Sequence, residues 1–262
     1  MSVTGLNAGD ILLINNRTKN RWYNILGQKI LRKTPSVNTT HVALSLGDGI
    51  FIHADTSCGV DLAFFPELLD KSEGNWKVIR HIEINDETEE EIKKSGIFHF
   101  KKAYNYGIIL KESETSLFCS QFVDLAYKTI GVDIFRRKKD NSLLRLDNIL
   151  PVDFERLLTN DKNWSDVTNI YLDNMNDNFF ENLKHNFKMQ YIIITLTKNM
   201  RRNHTSTLDF VHYLNDFHNQ LPDEYKSMEL ESHLSEMIKD FNNNESNFLY
   251  DFWNIKSKRF KK

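Results

Sequence analysis

The sequence predicts an α+β fold, an antiparallel sheet packed against helices, followed by a mainly helical C-terminal extension. Three observations lead there. Asp10-Ile-Leu-Leu-Ile14 is a short apolar run after Gly9 and reads as a buried strand. Residues 41–55 alternate on both sides of Gly47-Asp48-Gly49, the pattern of a hairpin. Two stretches read as helices, one from the capping pattern at Asp86 to about 102 and one over 117–131 from its apolar stripe.

Taken in order, residues 20–33 carry Trp22, Ile25, Leu26, Ile30 and Leu31 at helical spacing and stop before Pro35. Trp76 to Ile84 alternates as a strand does. Asp86 with Glu89 three residues on marks a helix start, and that helix is expected to run to Lys102. Leu117 to Gly131 has Phe122, Val123, Ala126, Tyr127 and Ile130 on one stripe, with Gly131 as its stop. After Pro151 the character changes. From Trp164 the chain is rich in Asn, Asp and Lys, and its helical pattern is interrupted by Tyr191-Ile-Ile-Ile-Thr-Leu196. A division near residue 165 follows, with 1–165 as the catalytic domain and 166–262 as a helical region of unassigned role.

Composition limits the function classes. With 40% hydrophobic and 27% charged residues, the chain has the make-up of an ordinary soluble protein. A net charge of −2 gives no reason to expect a nucleic-acid partner. The cluster Lys256-Ser-Lys-Arg-Phe-Lys-Lys262 reads as a solvated end, with contact to an anionic membrane surface as the other reading. The first ten residues do not resemble a secretory signal, and no stretch has the length of a membrane span. Two cysteines are too few for a disulfide framework. A cytoplasmic setting, or export without a cleaved signal as a secreted effector, is the expectation.

The hairpin carries the first chemistry. A three-residue loop Gly47-Asp48-Gly49 puts Leu46 opposite Ile50 and Ala43 opposite His53. One face then reads Val42, Leu44, Leu46, Ile50, Ile52 and Ala54, which is core. The other reads His41, Ala43, Ser45, Phe51, His53 and Asp55. A slip of one residue would mix the faces. His41 and His53 become diagonal neighbours, about 7–8 Å apart at the backbone and within ring contact. Two imidazoles side by side are more than packing asks for.

Cys119 supplies the second piece. It lies just inside the start of the 117–131 helix, which Ser116 or Thr115 is expected to cap. Unpaired N–H groups and the helix dipole there favour a thiolate, and the same groups suit an oxyanion. A nucleophile needs a base, and the base an orienting partner. His41 and His53 fill those roles in series, with Asp55 next along the face as an alternative orienter. Against this stands the ordinary reading of an isolated cysteine as a small buried hydrophobe.

At these residues the sequence resembles the circularly permuted papain-like proteins of the NlpC group, above all their bacterial amidase-like branch, and more distantly the lecithin–retinol acyltransferase type. The resemblance rests on the Gly9-Asp-Ile-Leu-Leu13 strand and on Thr40-His-Val-Ala-Leu-Ser-Leu-Gly-Asp-Gly49 with Ile52-His-Ala54 and Gly59-Val60. Phe118-Cys-Ser-Gln-Phe-Val123 with Ala126-Tyr127 and Ile149-Leu-Pro-Val-Asp153 complete it. It spans roughly 9–165, and permutation accounts for histidine preceding cysteine. It implies a permuted papain-like fold, Cys119 as nucleophile, His41 as base, His53 at the third polar position and Tyr104 lining the cleft. The amidase-like branch often has Glu at that third position, whereas the acyltransferase type has a second His twelve residues after the first, as here.

The expected function is a cysteine hydrolase working through an acyl-thioester on an amide or peptide, of the peptidoglycan stem-peptide kind. Acyl transfer or hydrolysis on lipids or thioesters is the alternative, and a binding module without turnover is the second. No cofactor or metal is expected. His41, His53, Cys58 and Cys119 make a formal zinc set, but the close ligand pairing usual in such sites is lacking.

Overall fold

The computed structural model describes residues 5–15, 21–74, 76–105, 116–135, 149–175 and 177–256. By backbone contacts the chain falls into two compact units, Met1–Met189 and Gln190–Lys262. The first holds a six-stranded antiparallel sheet in the order β4-β3-β2-β1-β5-β8. Its elements in chain order are β1 (Ala8–Ile14), α1 (Arg21–Arg32), β2 (His41–Gly47), β3 (Ile50–Asp55), β4 (Gly59–Phe64) and α2 (Phe65–Asp70). They continue with β5 (Lys77–His81), α3 (Asp86–Phe98), β6 (Ala103–Tyr104), β7 (Ser116–Leu117) and α4 (Cys119–Thr129). Then come α5 (Pro151–Glu155), α6 (Leu157–Asn160), β8 (Trp164–Asp166), α7 (Thr168–Asp173) and the start of α8 (Asp177–Gln220). The α+β architecture is the one expected.

The hairpin keeps the expected register in its body, with Leu44 opposite Ile52 and Ser45 opposite Phe51. Its tip differs. The turn is two residues, Asp48 and Gly49, with φ of 51° and 74°, closed by a Gly47–Ile50 pair. Positive φ at both central residues gives the tight turn whose twist suits a hairpin. An irregularity between Ser45 and Gly47 absorbs the extra residue, so the side-chain faces stay sorted.

Both faces are buried, not one. Gly96 of α3 lies against Leu44, Leu46 and Ile52, which covers the face expected to be core. The face with the histidines is closed too. There Leu12, Ile14, Ala43, Phe51 and Val78 pack with Phe65, Leu68, Tyr171 and Leu183 from α2, α7 and α8. The division expected near 165 therefore runs through β8, and residues up to Leu183 belong to the core of the sheet's unit.

Helix ends differ where local chemistry competes. The cap of α3 is Asn85, whose side chain accepts from the N–H groups of Glu87 and Thr88, while Thr88 accepts from Asn85 N–H. The helix stops at Phe98, and Lys101 takes a left-handed φ of 65°. Ser116 and Leu117 are drawn into β7 instead of α4 by pairing with Ala103 and Tyr104. Ser116 is therefore no cap, and Thr115 lies outside the described residues.

The second unit is the remainder of α8 with α9 (Met228–Asn244) and the chain to residue 256. Among the described residues Ile194, Leu208, Val211, Leu234, Phe252 and Ile255 are its buried apolar side chains. Arg201 bonds to Glu245, to the Tyr250 carbonyl and to Asp251. Residues 257–262, most of the basic tail, lie outside the described residues.

Candidate active site

The site begins where the hairpin opens. Pairing of β2 with β3 runs as far as Leu44–Ile52, while β1 holds β2 down to Ile14–His41. Just past the last β2–β3 pair, the rings of His41 and His53 meet edge to face with centroids 5.0 Å apart. His41 Nε2 lies 2.7 Å from His53 Nδ1, so one nitrogen donates and the other accepts. That contact commits Nε2 of His41 and leaves Nδ1 as its remaining polar atom. Both rings are buried, and burial pushes His41 down to about 4 and His53 down to about 3. Each therefore rests neutral. Asp55 pulls the other way on both rings through its charge, and Lys71 adds to the fall.

Cys119 is the first residue of α4. Phe118 before it is extended and provides no side-chain cap, so the opening N–H groups of the helix stay directed at the thiol. Those of Cys119 and Ser120 and that of Val42 all favour the thiolate. Val42 is next to His41 in β2, which brings the nucleophile candidate to the open end of the hairpin. Burial outweighs these donors and pushes the thiol up to about 11, against the lowered value expected for a cysteine at a helix start. Among the described residues the thiol and the His41 ring make no direct hydrogen bond; catalytic hydrogen bonds are often long before substrate binds. The start of α4 is pinned by Ser120, whose hydroxyl donates to the Ile149 carbonyl. Beyond it, Asp153 accepts from Leu150 N–H and holds Arg32 of α1 in a bidentate pair. Gln28 of α1 accepts from Val152 N–H and donates to the Thr39 carbonyl, two residues before His41. The 149–153 motif thus ties α4 to the strand that carries His41.

Residues 5–147 match the family described as "Permuted papain-like amidase enzyme, YaeF/YiiX, C92 family". The chain belongs to the permuted papain-like amidase family. Among solved structures it is similar to the metalloprotein yiiX from Escherichia coli O157:H7, at 16% identity and a TM-score of 0.42, covering 62% of this chain and 88% of that one. No curated protein matches it.

The remaining expected residues of this amidase-family site fall as follows. Tyr104 is half-buried and pairs with Leu117 in a short parallel ladder, which sets it beside the strand leading into Cys119. Gly59 makes that placement possible. Its φ is 73°, and a Cβ there would stand 2.2 Å from the Lys102 carbonyl oxygen. Val60 and the 101–102 segment exchange hydrogen bonds across this close approach. Asp55 is partly buried, and its Oδ1 accepts from the N–H and hydroxyl of Ser57. Burial raises its carboxyl, but the Ser57 hydrogen bonds and the two histidines leave it below the usual carboxylate range.

Two features escaped the sequence reading. Asp61 stands directly across from His53 on β4, where its charge favours the protonated ring, and it is ion-paired with Lys101. A charge between Val60 and Leu62 in an otherwise apolar strand is the signal that pointed to it. The Val42 N–H has no sequence signal, since every residue carries one. Among the described residues no group of three or more His, Cys, Asp and Glu side chains is arranged to hold a metal ion. Cys58, the fourth member of the formal zinc set, lies exposed in the turn between β3 and β4. No described helix is long and apolar enough to cross a membrane.

Proposed function

We propose that this member of the amidase family is a cysteine amidase in which Cys119 is the nucleophile, His41 the base and His53 the group that orients it. The observation that carries this reading is the 2.7 Å contact between His41 Nε2 and His53 Nδ1, next to the residue whose N–H meets the thiol. With Nε2–H donating to His53, the Nδ1 lone pair of His41 is free to take a proton. Both partners start neutral, so the reaction opens with transfer of the thiol proton to that nitrogen. The thiolate adds to the amide carbonyl carbon, and the N–H groups of Cys119 and Ser120 stabilise the oxyanion. The C–N bond then breaks as the imidazolium returns its proton to the leaving amine. Water, deprotonated by His41, attacks the thioester; the C–S bond breaks and the thiolate recovers the proton.

A second reading differs in the last step. If an alcohol or amine takes the place of water, the same site is an acyltransferase, and the histidine at position 53 is the feature that favours it. Incubation with peptidoglycan stem peptides and, separately, with phospholipids and acyl thioesters tests both. Intact-mass analysis is expected to show an acyl adduct on Cys119 from the peptides, and none in Cys119→Ala. An adduct from lipids alone would replace the amidase reading with the second one; none from any donor would remove both.

A further inference from the structure

We propose, resting on the amidase reading, that a polar cavity beside His41 is the subsite for a free ammonium group of the substrate. The cavity measures about 680 Å³ and opens where β1 ends and β2 and β5 begin. Leu13, Asn38 and Thr39 line it from β1 and the approach to β2, Glu73 and Lys77 from the approach to β5, and Glu155 from α5. Two of these groups have bonding capacity to spare. Thr39 is 4% exposed, yet its hydroxyl makes no hydrogen bond among the described residues; only its carbonyl is used, by Gln28. A buried hydroxyl is costly to leave unpaired, and this one borders the cavity. Glu155 accepts the Asn38 N–H on Oε1 at 2.8 Å and makes no salt bridge among the described residues.

Charge selects the ligand. The carboxylates of Glu73 and Glu155 stand against one lysine, Lys77, which is itself paired with Asp166 at 3.4 Å. The excess is negative, so the lining suits a cation. Among the described residues no three metal-ligating side chains are grouped, so an ammonium fits where a metal ion does not. Its N–H groups can donate to the Glu155 carboxylate and to the Thr39 hydroxyl together. Position ties the cavity to the reaction. Leu13 is the strand partner of Val42, whose N–H meets the Cys119 thiol, and Thr39 comes two residues before His41. With paired strands about 4.8 Å apart, the lining starts roughly 10 Å from the thiol, the reach of about three extended residues. The substrate class that follows is a peptide-like amide with an amine about three residues from the scissile carbonyl.

Calorimetry on the full chain carrying Cys119→Ala tests this without turnover. The probe is a peptidoglycan stem tetrapeptide in three forms, with its amines free, N-methylated or N-acetylated. The free and methylated forms keep the charge and are expected to bind about tenfold more tightly than the acetylated one. Glu155→Gln keeps an oxygen for the Asn38 N–H and removes the charge, so it is expected to erase that preference. Thr39→Val removes only the hydroxyl and is expected to reduce it. In the chain with Cys119 intact, kcat/KM is expected to follow the same order. Equal binding of the three forms, or a preference that survives Glu155→Gln, would overturn the inference. So would turnover that ignores a preference seen in binding. A preference erased by Glu155→Gln, with no turnover of any form, would uphold the ammonium site and count against the amidase reading instead.

Discussion

Two buried polar clusters lie on the same sheet and are built on opposite principles. At one, Asp10 is fully buried and every strong bond it needs is made. Arg80 holds both carboxylate oxygens at 2.6 and 2.7 Å and also donates to the Gly5 carbonyl, while the Tyr171 hydroxyl donates to Oδ2 at 2.8 Å. Burial pushes that carboxyl up, and Arg80 and Tyr171 pull it back. At the other, His41 and His53 have chiefly each other, and burial drives both towards the neutral form. The first cluster closes its valences and fastens β1, β5 and α7 together. The second leaves His41 Nδ1 outside that contact, on the residue next to Val42, whose N–H meets the Cys119 thiol. A satisfied network stabilises the fold, while one left open is available for chemistry.

The largest expected effect separates the two. If Cys119 is the nucleophile proposed, Cys119→Ala is expected to lower turnover about 10⁴-fold or more without lowering the melting temperature, because loss of the thiol leaves only a small void. A labelling experiment checks the same point with its own control. A substrate-like amide electrophile is expected to modify buried Cys119 ahead of exposed Cys58 near neutral pH, and His41→Ala to abolish that selectivity. Modification of Cys58 first in the wild-type chain would argue against the catalytic reading.

Asp10→Ala is expected to show the converse. Leaving half-buried Arg80 without its carboxylate partner should cost about 3 kcal/mol in urea unfolding, at the low end for a buried pair because Arg80 keeps the Gly5 carbonyl. Labelling of Cys119 should be unchanged at temperatures where the variant is folded. Equal losses in both measurements would mean the clusters are coupled.

His53→Gln falls between. Its effect on turnover is expected to be about 10–100-fold, as for a group that orients the proposed base rather than taking the proton itself. It also has a pH signature. His41 and His53 have lower pKa values folded than the unfolded 6.5, so the unfolded chain binds more protons. Their contribution is complete above about 6.5 and is lost as pH falls through that value towards 4 and 3. The wild-type chain is therefore expected to lose on the order of a few kcal/mol of stability across that window. His53→Gln should lose less.

How much of this the sequence carried follows from distance along the chain. The His41–His53 contact was legible because a hairpin fixes register locally and the alternation of 41–55 sorts its faces. Cys119 was legible as a helix-start cysteine. Its raised pKa was not, because that depends on how deeply α4 packs against β2. The Asp10 cluster was not legible either. Its partners are 70 and 161 residues away, and nothing local marks Tyr171 as the partner of Asp10. The start of α3 was misplaced by one residue because Asn85 and Asp86 are both good caps, and only the side chain of Thr88 selects between them. The burial of the histidine face escaped notice because α2, α7 and α8, which close it, come from outside the hairpin.

Asp55 gives the smallest effect and the sharpest test of where the orienting role ends. Its carboxylate lies on the same face as the histidines, and its charge raises both of their pKa values. Its hydrogen-bonding capacity, however, goes to the N–H and hydroxyl of Ser57 in the turn before β4. If it acts on the rings only through its field, removing the charge should lower the pKa of His41 and change turnover by no more than about threefold. Asp55→Asn keeps the Asx turn and removes the charge, so the two contributions separate. NMR titration of the His41 ring in this variant, beside turnover, is the measurement. A loss as large as that of His53→Gln would make the carboxylate the orienting group and reduce His53 to a spacer between it and His41.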